Sequence, residues 1–361
     1  MSQSIIKGLT QINQIIEGKK VFLVKDSVYD YLKIKEFFHT IPHIEFSEFT
    51  PNPLYEQVCK GVELFNREKC DLIIAVGGGS TIDIAKCIKL YCKMDNDINY
   101  MQQEYIDSGI TLIAVPTTAG TGSESTCHAV IYYEGEKQSI SHTSIIPNYA
   151  ILEPSVLETL PVYQKKCTML DALCQAIESW WSVNSTEESK EYSRKAILAI
   201  KENWEEYIFK NAEFAAEKIM EAANFAGRAI NITATTSAHA MSYKITSIYK
   251  IPHGHAVSIC LPEVWKYMLE HMDDCIDSRG TVYFKETLNQ IAESMDLGYF
   301  VDMMKKLEMN YPIASNEEEE LAELVKSVNP VRLKNNPISL STEVLRDMYR
   351  RIIKNESRKI G

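Results

Sequence analysis

At 361 residues, with 45% hydrophobic and 24% charged side chains, the chain is long enough for two domains with real cores and is not expected to be disordered. Its formal charge of -11 opposes nonspecific attraction to nucleic acid phosphates or anionic membrane surfaces, which leaves small molecules as the expected partners. Nine irregularly spaced cysteines without a CxxC pair predict free thiols in a reducing cytoplasm; no apolar window approaches about 18 residues, and no secretory signal is evident in MSQSIIKGLTQINQ.

Up to about residue 155, short apolar runs alternate with helical patterns: KKVFLV near Val21, DLIIAV ending at Val76, TLIAV ending at Val115 and AVIYY near Tyr132. This alternation predicts an α/β domain over residues 1–155, with a mostly parallel sheet and ligands at the carboxyl ends of its strands. DLIIAV runs into Gly77, Gly78, Gly79 and Ser80, and then into TIDIAKCIKLYC, whose Ile84, Ile88 and Cys92 recur at helical spacing. A strand, glycine turn and helix N-terminus can hold a pyrophosphate, because glycine admits close backbone approach and the helix dipole attracts anions. A tight turn with no ligand has the same spelling. The next strand ends in VPTTAGTGSES, where Thr117, Thr118, Thr121 and Ser123 supply small hydroxyl donors, and two such loops at neighbouring strand ends favour a dinucleotide site over plain turns. Neither loop is the GxGxxG fingerprint with its acidic residue downstream; the candidate acid here, Asp26, precedes the glycines.

Beyond LEPSVLETLP, whose Pro154 and Pro161 suit an interdomain turn, the patterns become helical and predict an all-α domain over residues 156–361. In that half, AHAMSYKITSIYKIPHGHA sets His239 and His253 fourteen residues apart, downstream of Asp171. Two imidazoles and a carboxylate form a three-ligand set that leaves a coordination position open, as a catalytic metal needs; ordinary packed or surface histidines are the alternative. Such donors accept Fe2+ or Zn2+ alike. Glu317 to Glu320, after Ser315 and Asn316, predict a capped helix start.

GGGSTIDIAK, PTTAGTGSE, the TPNP of Thr50 to Pro53, DALCQAIE and IPHGHA resemble, in this order, motifs of the iron-containing (group III) alcohol dehydrogenase family, from about Val21 to Pro262. The resemblance implies a Rossmann-like α/β N-terminal domain followed by an all-α C-terminal domain, one divalent metal, a nicotinamide cofactor and a homodimer or higher oligomer. It places Asp171, His239 and His253 at metal-ligand positions, and Asp26, Gly77, Gly78, Gly79, Ser80, Asp83, Thr117, Thr118, Thr121 and Lys137 at cofactor positions. Asp26 at the adenosine ribose would favour NAD(H) over NADP(H), since a carboxylate accepts from a 2′-hydroxyl and repels a 2′-phosphate. Two positions depart from the family pattern. Gln175 stands where a metal-ligating histidine is usual and becomes the fourth candidate ligand; Tyr243 replaces the second histidine of HxxxH and becomes a candidate catalytic contact or a packed aromatic. His255 is a candidate replacement ligand or proton relay.

The wording DALCQAIESWWSVNST, GRAINITATTSAHAMSYKIT and SVNPVRLKNNP is most similar to the phosphonoacetaldehyde reductase branch. That likeness implies reduction of an anionic aldehyde, with Arg228 as the anion-binding cation unless it forms a structural salt bridge, and Lys137 and Lys244 as further candidates. Reduction or oxidation of a neutral substrate such as lactaldehyde or a diol is the alternative. A lyase of dehydroquinate synthase type and a nucleotide-binding protein without a full metal set stand further off.

Overall fold

A computed structural model describes residues 3–353. Six strands, β1 (Ser4–Lys7), β2 (Val21–Lys25), β3 (His43–Phe46), β4 (Leu72–Gly77), β5 (Thr111–Pro116) and, after the hairpin of β6 (His128–Tyr133) and β7 (Glu136–Ser141), β8 (Tyr149–Leu152), carry the N-terminal region. The main sheet has the order β1-β8-β5-β4-β2-β3, and every pairing in it is parallel. VFLVK, LIIAVG and TLIAVP are buried almost without a break because a parallel sheet is covered on both faces. The edge strand β1 exposes most of its residues, and β3 and β8 are four residues each, so none offered a readable apolar run.

AVIYY is a strand, but it lies outside the main sheet. It pairs antiparallel with β7, because Glu134 (φ 52°) and Gly135 (φ 82°) both take the left-handed conformation that a two-residue hairpin turn requires.

The helices are α1 (Ile12–Ile15), α2 (Lys35–His39), α3 (Tyr55–Arg67), α4 (Gly79–Tyr91), α5 (Val162–Trp181), α6 (Glu187–Phe209), α7 (Glu213–Thr233), α8 (Ser237–Tyr249), α9 (His253–Glu270), α10 (Thr281–Ser294), α11 (Leu297–Lys306), α12 (Glu317–Ser327), α13 (Pro330–Leu333) and α14 (Thr342–Ile353). The chain divides into two compact units, Met1–Pro161 with Phe209–Gly227, and Val162–Ile208 with Arg228–Gly361. The 209–227 segment joins the α/β unit for a physical reason. A Cβ on Gly227 would lie 2.6 Å from the Gly122 carbonyl oxygen, so the two backbones touch, and Asn224 donates to Glu124 Oε1 (3.1 Å) and Ser125 Oγ (2.6 Å).

In the helical unit, α9 packs on α5 and α8. Trp181 and Trp265 meet edge to face at 5.7 Å inside it. The acidic run does begin a helix, α12, although the cap works in reverse: Glu320 Oε1 accepts the backbone N–H groups of Ser315 (2.9 Å) and Asn316 (3.0 Å). Among the described residues no helix is long and apolar enough to cross a membrane, and no disulfide joins any of the nine cysteines.

Candidate metal centre and cofactor loops

The helical period of α5 sets Asp171, Gln175 and Glu178 on one face, at i, i+4 and i+7. Opposite Asp171 stand His239 of α8 and His253, the first residue of α9, and one ligand atom from each of the three lies within 4.8 Å of the others. Asp171 Oδ1 is 3.3 Å from His239 Nε2 and 3.9 Å from His253 Nε2. Two donors bound tetrahedrally to one cation at about 2.1 Å sit roughly 3.4 Å apart, so these residues fit a small divalent ion with little movement. Asp171 and His239 are buried, whereas the His253 side chain is 36% exposed and faces the accessible side of the cluster.

Both imidazoles are oriented from behind. Glu178, wholly buried, receives the Nδ1–H of His239, the hydroxyl of Thr236 (2.6 Å) and the backbone N–H of Ala238 (2.8 Å). The Ser242 hydroxyl gives its hydrogen to the His239 carbonyl (2.8 Å) and so faces His253 Nδ1 (3.4 Å) as an acceptor. Each ring therefore turns its Nε2 toward Asp171, the orientation that carboxylate-supported metal-binding histidines adopt, with a lone pair there for a cation once Nε2 is deprotonated. Gly254 makes the approach of α9 possible, since a Cβ there would lie 1.9 Å from the Cys167 carbonyl oxygen and 2.9 Å from Asp171 Cβ.

The electrostatics favour a cation. Burial pushes the Asp171 carboxyl up, but the hydrogen bond from His239, the charges of His253 and His239 and a hydrogen bond from Gln175 outweigh it and hold the group below the usual carboxylate range. Burial lowers His239, yet the Glu178 and Asp171 carboxylates on either side overcome that and carry the imidazole up to about 9. Two buried carboxylates thus call for positive charge at His239, which a proton or a metal ion can supply.

In the α/β unit, the glycine loop joins β4 to α4. Only glycine fits at position 77, where a Cβ would lie 2.2 Å from Thr81 Oγ1 and 2.7 Å from Asp26 Oδ2. Asp26, just past β2, accepts from the Thr81 hydroxyl (2.9 Å) and the Gly78 N–H (3.4 Å), which sets its carboxylate beside the glycine turn. The second loop lies against the first: Thr117 N–H donates to the Gly77 carbonyl (3.0 Å), and a Cβ on Gly79 would meet Thr121 Oγ1 at 3.1 Å. The TPNP segment closes the third side through Asn52 N–H to Ser80 Oγ (3.2 Å). Asp83 binds the Ser123 hydroxyl (2.6 Å) and the Val130 N–H (3.0 Å), so it ties α4 to the second loop and to β6. Lys137 is an exposed residue of β7 whose charge reaches Asp83.

Family models agree with this layout. The model described as iron-containing alcohol dehydrogenase matches residues 4–154, and that described as Fe-containing alcohol dehydrogenase family, C-terminal, matches residues 166–353. The chain belongs to the iron-containing alcohol dehydrogenase family. It is similar to the phosphonoacetaldehyde reductase of Streptomyces viridochromogenes (31% identity over 239 residues, 62% of this chain and 60% of that protein). It is similar also to the 1,3-propanediol dehydrogenase of Citrobacter freundii (30% over 269 residues, 71% and 70%). Against longer relatives the match is partial, spanning 32% of the aldehyde-alcohol dehydrogenase 2 of Entamoeba histolytica. Among solved structures, a sulfoacetaldehyde reductase from Bifidobacterium kashiwanohense in complex with NAD+ superposes with a TM-score of 0.88 at 26% identity, over 98% of both chains.

The two departures from the family pattern, Gln175 and Tyr243, and the candidate His255 fall in three places. Gln175 is buried on the Asp171 face and hydrogen-bonds Asp171. Tyr243 lies parallel to His253, with ring centroids 5.4 Å apart and 5° between planes. His255 stands apart from the donor cluster: its Nδ1 accepts from the Tyr163 hydroxyl (2.7 Å) and its Nε2 donates to the Asn310 carbonyl (2.8 Å), while burial lowers its pKa. Both ring nitrogens are thus engaged by groups outside the Asp171–His239–His253 cluster.

Of the cations, Lys244 pairs with Glu323 (2.5 Å), and Arg228 lies 5.8 Å from the Tyr192 ring of α6. The arginine stacked on Tyr243 is Arg332, at 5.4 Å. Glu178, Ser242, Gly254 and Arg332 went without a role in the sequence. For Glu178 a signal existed, its position two helical turns beyond Asp171; the other three depend on contacts between separate helices.

Proposed function

We propose that this family member is a metal-dependent, NAD(H)-linked reductase of a small anionic aldehyde, converting phosphonoacetaldehyde to 2-hydroxyethylphosphonate. The observation that carries the chemistry is the convergence of Asp171, His239 and His253 with both Nε2 atoms facing one buried carboxylate oxygen. When bound, a divalent cation supplies Lewis-acid polarisation of a carbonyl and the nicotinamide supplies hydride. The protein's own share is positioning. Glu178 and Ser242 fix the two imidazoles, so no reorientation is needed as charge develops. The glycine turn, Ser80 and the threonines of the second loop offer close backbone approach and hydroxyl donors to a dinucleotide, and Asp26 favours a ribose with a free 2′-hydroxyl.

The anionic substrate is supported by the similarity to phosphonoacetaldehyde and sulfoacetaldehyde reductases. The likeness to 1,3-propanediol dehydrogenase supports the second reading, a neutral aldehyde or diol. NADH oxidation by metal-loaded protein, measured with phosphonoacetaldehyde and with glycolaldehyde, separates the two. A higher kcat/KM on phosphonoacetaldehyde is expected; equal or better use of glycolaldehyde sinks the anionic assignment, and no NADH oxidation with any aldehyde sinks the reductase itself.

A further inference from the structure

The arginines of this chain mostly have a carboxylate in front of them. Arg279 forks onto Asp277 with its closest approach at 2.6 Å, and Arg351 meets Glu263 at 2.6 Å. Arg332 differs. It is half-buried, and among the described residues no carboxylate lies within ion-pair distance of it; its contacts are a hydrogen bond from Nη1 to Thr235 Oγ1 (3.2 Å) and the face of Tyr243. Taking a guanidinium partly out of water without a counter-charge is costly unless an anion arrives to complete it.

The placement of Arg332 is built. Its short helix α13 starts at Pro330 under a cap from Asn329, whose side chain accepts the Val331 N–H (2.9 Å). The residues that follow are pinned to the start of α8, where Asn335 Nδ2 donates to the Thr235 carbonyl (3.1 Å) and the Ser237 hydroxyl donates to the wholly buried Asn336 (2.8 Å). Tyr243, on the same helix, then acts as a shelf with contacts to both Arg332 and His253. Two steps of 5.4 Å, guanidinium to Tyr243 and Tyr243 to His253, connect the uncompensated cation to the exposed member of the donor cluster.

We propose that Arg332 is the specificity residue for the anionic end of the substrate, binding a tetrahedral phosphonate or sulfonate while the aldehyde oxygen lies at the Asp171–His239–His253 cluster. This rests on the anionic-aldehyde reading above and names the residue that performs the recognition. A two-carbon aldehyde with such a group is about 5 Å long from carbonyl oxygen to the far acid oxygens. With a charge-assisted hydrogen bond of about 2.8 Å to the guanidinium the span is about 8 Å, within the upper limit that the two 5.4 Å steps set. Nη1 holds Thr235, and Nε and Nη2 remain to grip two acid oxygens at once, a geometry that lysine cannot reproduce.

The test compares metal-loaded wild type, R332A and R332K in NADH oxidation with phosphonoacetaldehyde, sulfoacetaldehyde and propionaldehyde. R332A is expected to lose about 100-fold in kcat/KM on the preferred anionic aldehyde, chiefly through KM, and no more than about threefold on propionaldehyde. R332K should lie between them, and added guanidinium should restore part of the R332A activity on the anionic substrate only. The two acids distinguish phosphonate from sulfonate as the group recognised. If R332A does not fold, R332K and R332Q carry the same comparison, since both side chains can still donate to Thr235. Equal losses on charged and neutral aldehydes, or no loss on the charged ones, overturn the role of Arg332. A wild type that uses propionaldehyde as well as either acid overturns the anionic reading itself, a result visible before any variant is made.

Discussion

Gly254 lies so close to Cys167 that a Cβ at position 254 would come within 1.9 Å of the Cys167 carbonyl oxygen. That contact sets how near the start of α9 can come to α5, and with it the distance from His253 to Asp171. The Gly254→Ala variant must push α9 back by more than an ångström or bend it, an overpacking cost of about 1–3 kcal/mol. The expected outcome is a folded protein with a lower melting temperature and much reduced divalent-metal content and reductase rate. Elemental analysis after dialysis checks it, and full metal content in G254A would show that the close approach does not govern the cluster.

Glu178→Gln tests the orientation of His239. A glutamine can still accept from Thr236 and Ala238 through its oxygen, but its amide nitrogen then faces His239 Nδ1 and favours the opposite tautomer. His239 would then direct an N–H, in place of a lone pair, at Asp171. Divalent-metal affinity should fall about 10- to 100-fold with little change in secondary structure. Metal titration by calorimetry or a competing chelator reads this directly; unchanged affinity would remove Glu178 from the metal argument.

Asp26→Asn tests the cofactor preference. The amide oxygen keeps an acceptor for Thr81, so the glycine turn is retained, while the charge that would repel a 2′-phosphate is gone. The NADH over NADPH ratio of kcat/KM should drop about tenfold or more, mostly through better use of NADPH. A ratio equal to that of the wild type would mean that another group reads the ribose.

Lys89 supplies a pH dependence. Burial, opposed by the charges of Asp107 and Cys92, lowers its amine to about 8, and Asn148 Oδ1 holds it at 3.0 Å. The unfolded chain keeps that proton up to its ordinary value of 10.5, so between about pH 8 and 10.5 the unfolded state binds more protons than the native one. Burying the charged Lys89 therefore costs stability, a penalty that is full below about pH 8 and is relieved as pH rises from about 8 to 10.5. Lys89→Met removes the titration, while Asn148 Oδ1 still accepts the Leu112 N–H (2.9 Å). Denaturant midpoints of wild type and K89M from pH 7 to 10 should diverge in favour of the wild type as pH rises; a constant difference would refute the shift.

Much of the candidate site was legible because it is local. Asp171, Gln175 and Glu178 share a face through the 3.6-residue period alone, and the glycine and threonine loops announce themselves by following apolar strands. The strands that escaped reading, β1, β3 and β8, are short, and AVIYY, rightly read as a strand, has the pattern of a half-buried strand whichever sheet it joins. His255 shows the same limit for chemistry. A histidine two residues from a candidate ligand looks functional in sequence, yet Tyr163 and Asn310, which engage it, come from positions 92 and 55 residues away.

Composition, periodicity and motif order by themselves pointed to an α/β part followed by a helical part, to the candidate cofactor loops and to the three candidate donors, because each is carried by a short run of residues along a helix or at a strand end. Which imidazole nitrogen faces Asp171, how near α9 comes to α5, and that Arg332 and not Arg228 lies on Tyr243 were decided only by the tertiary structure. These depend on packing between elements remote in the chain, where a single Cβ at Gly254 or one hydrogen bond to Glu178 selects between arrangements that the sequence pattern leaves equivalent.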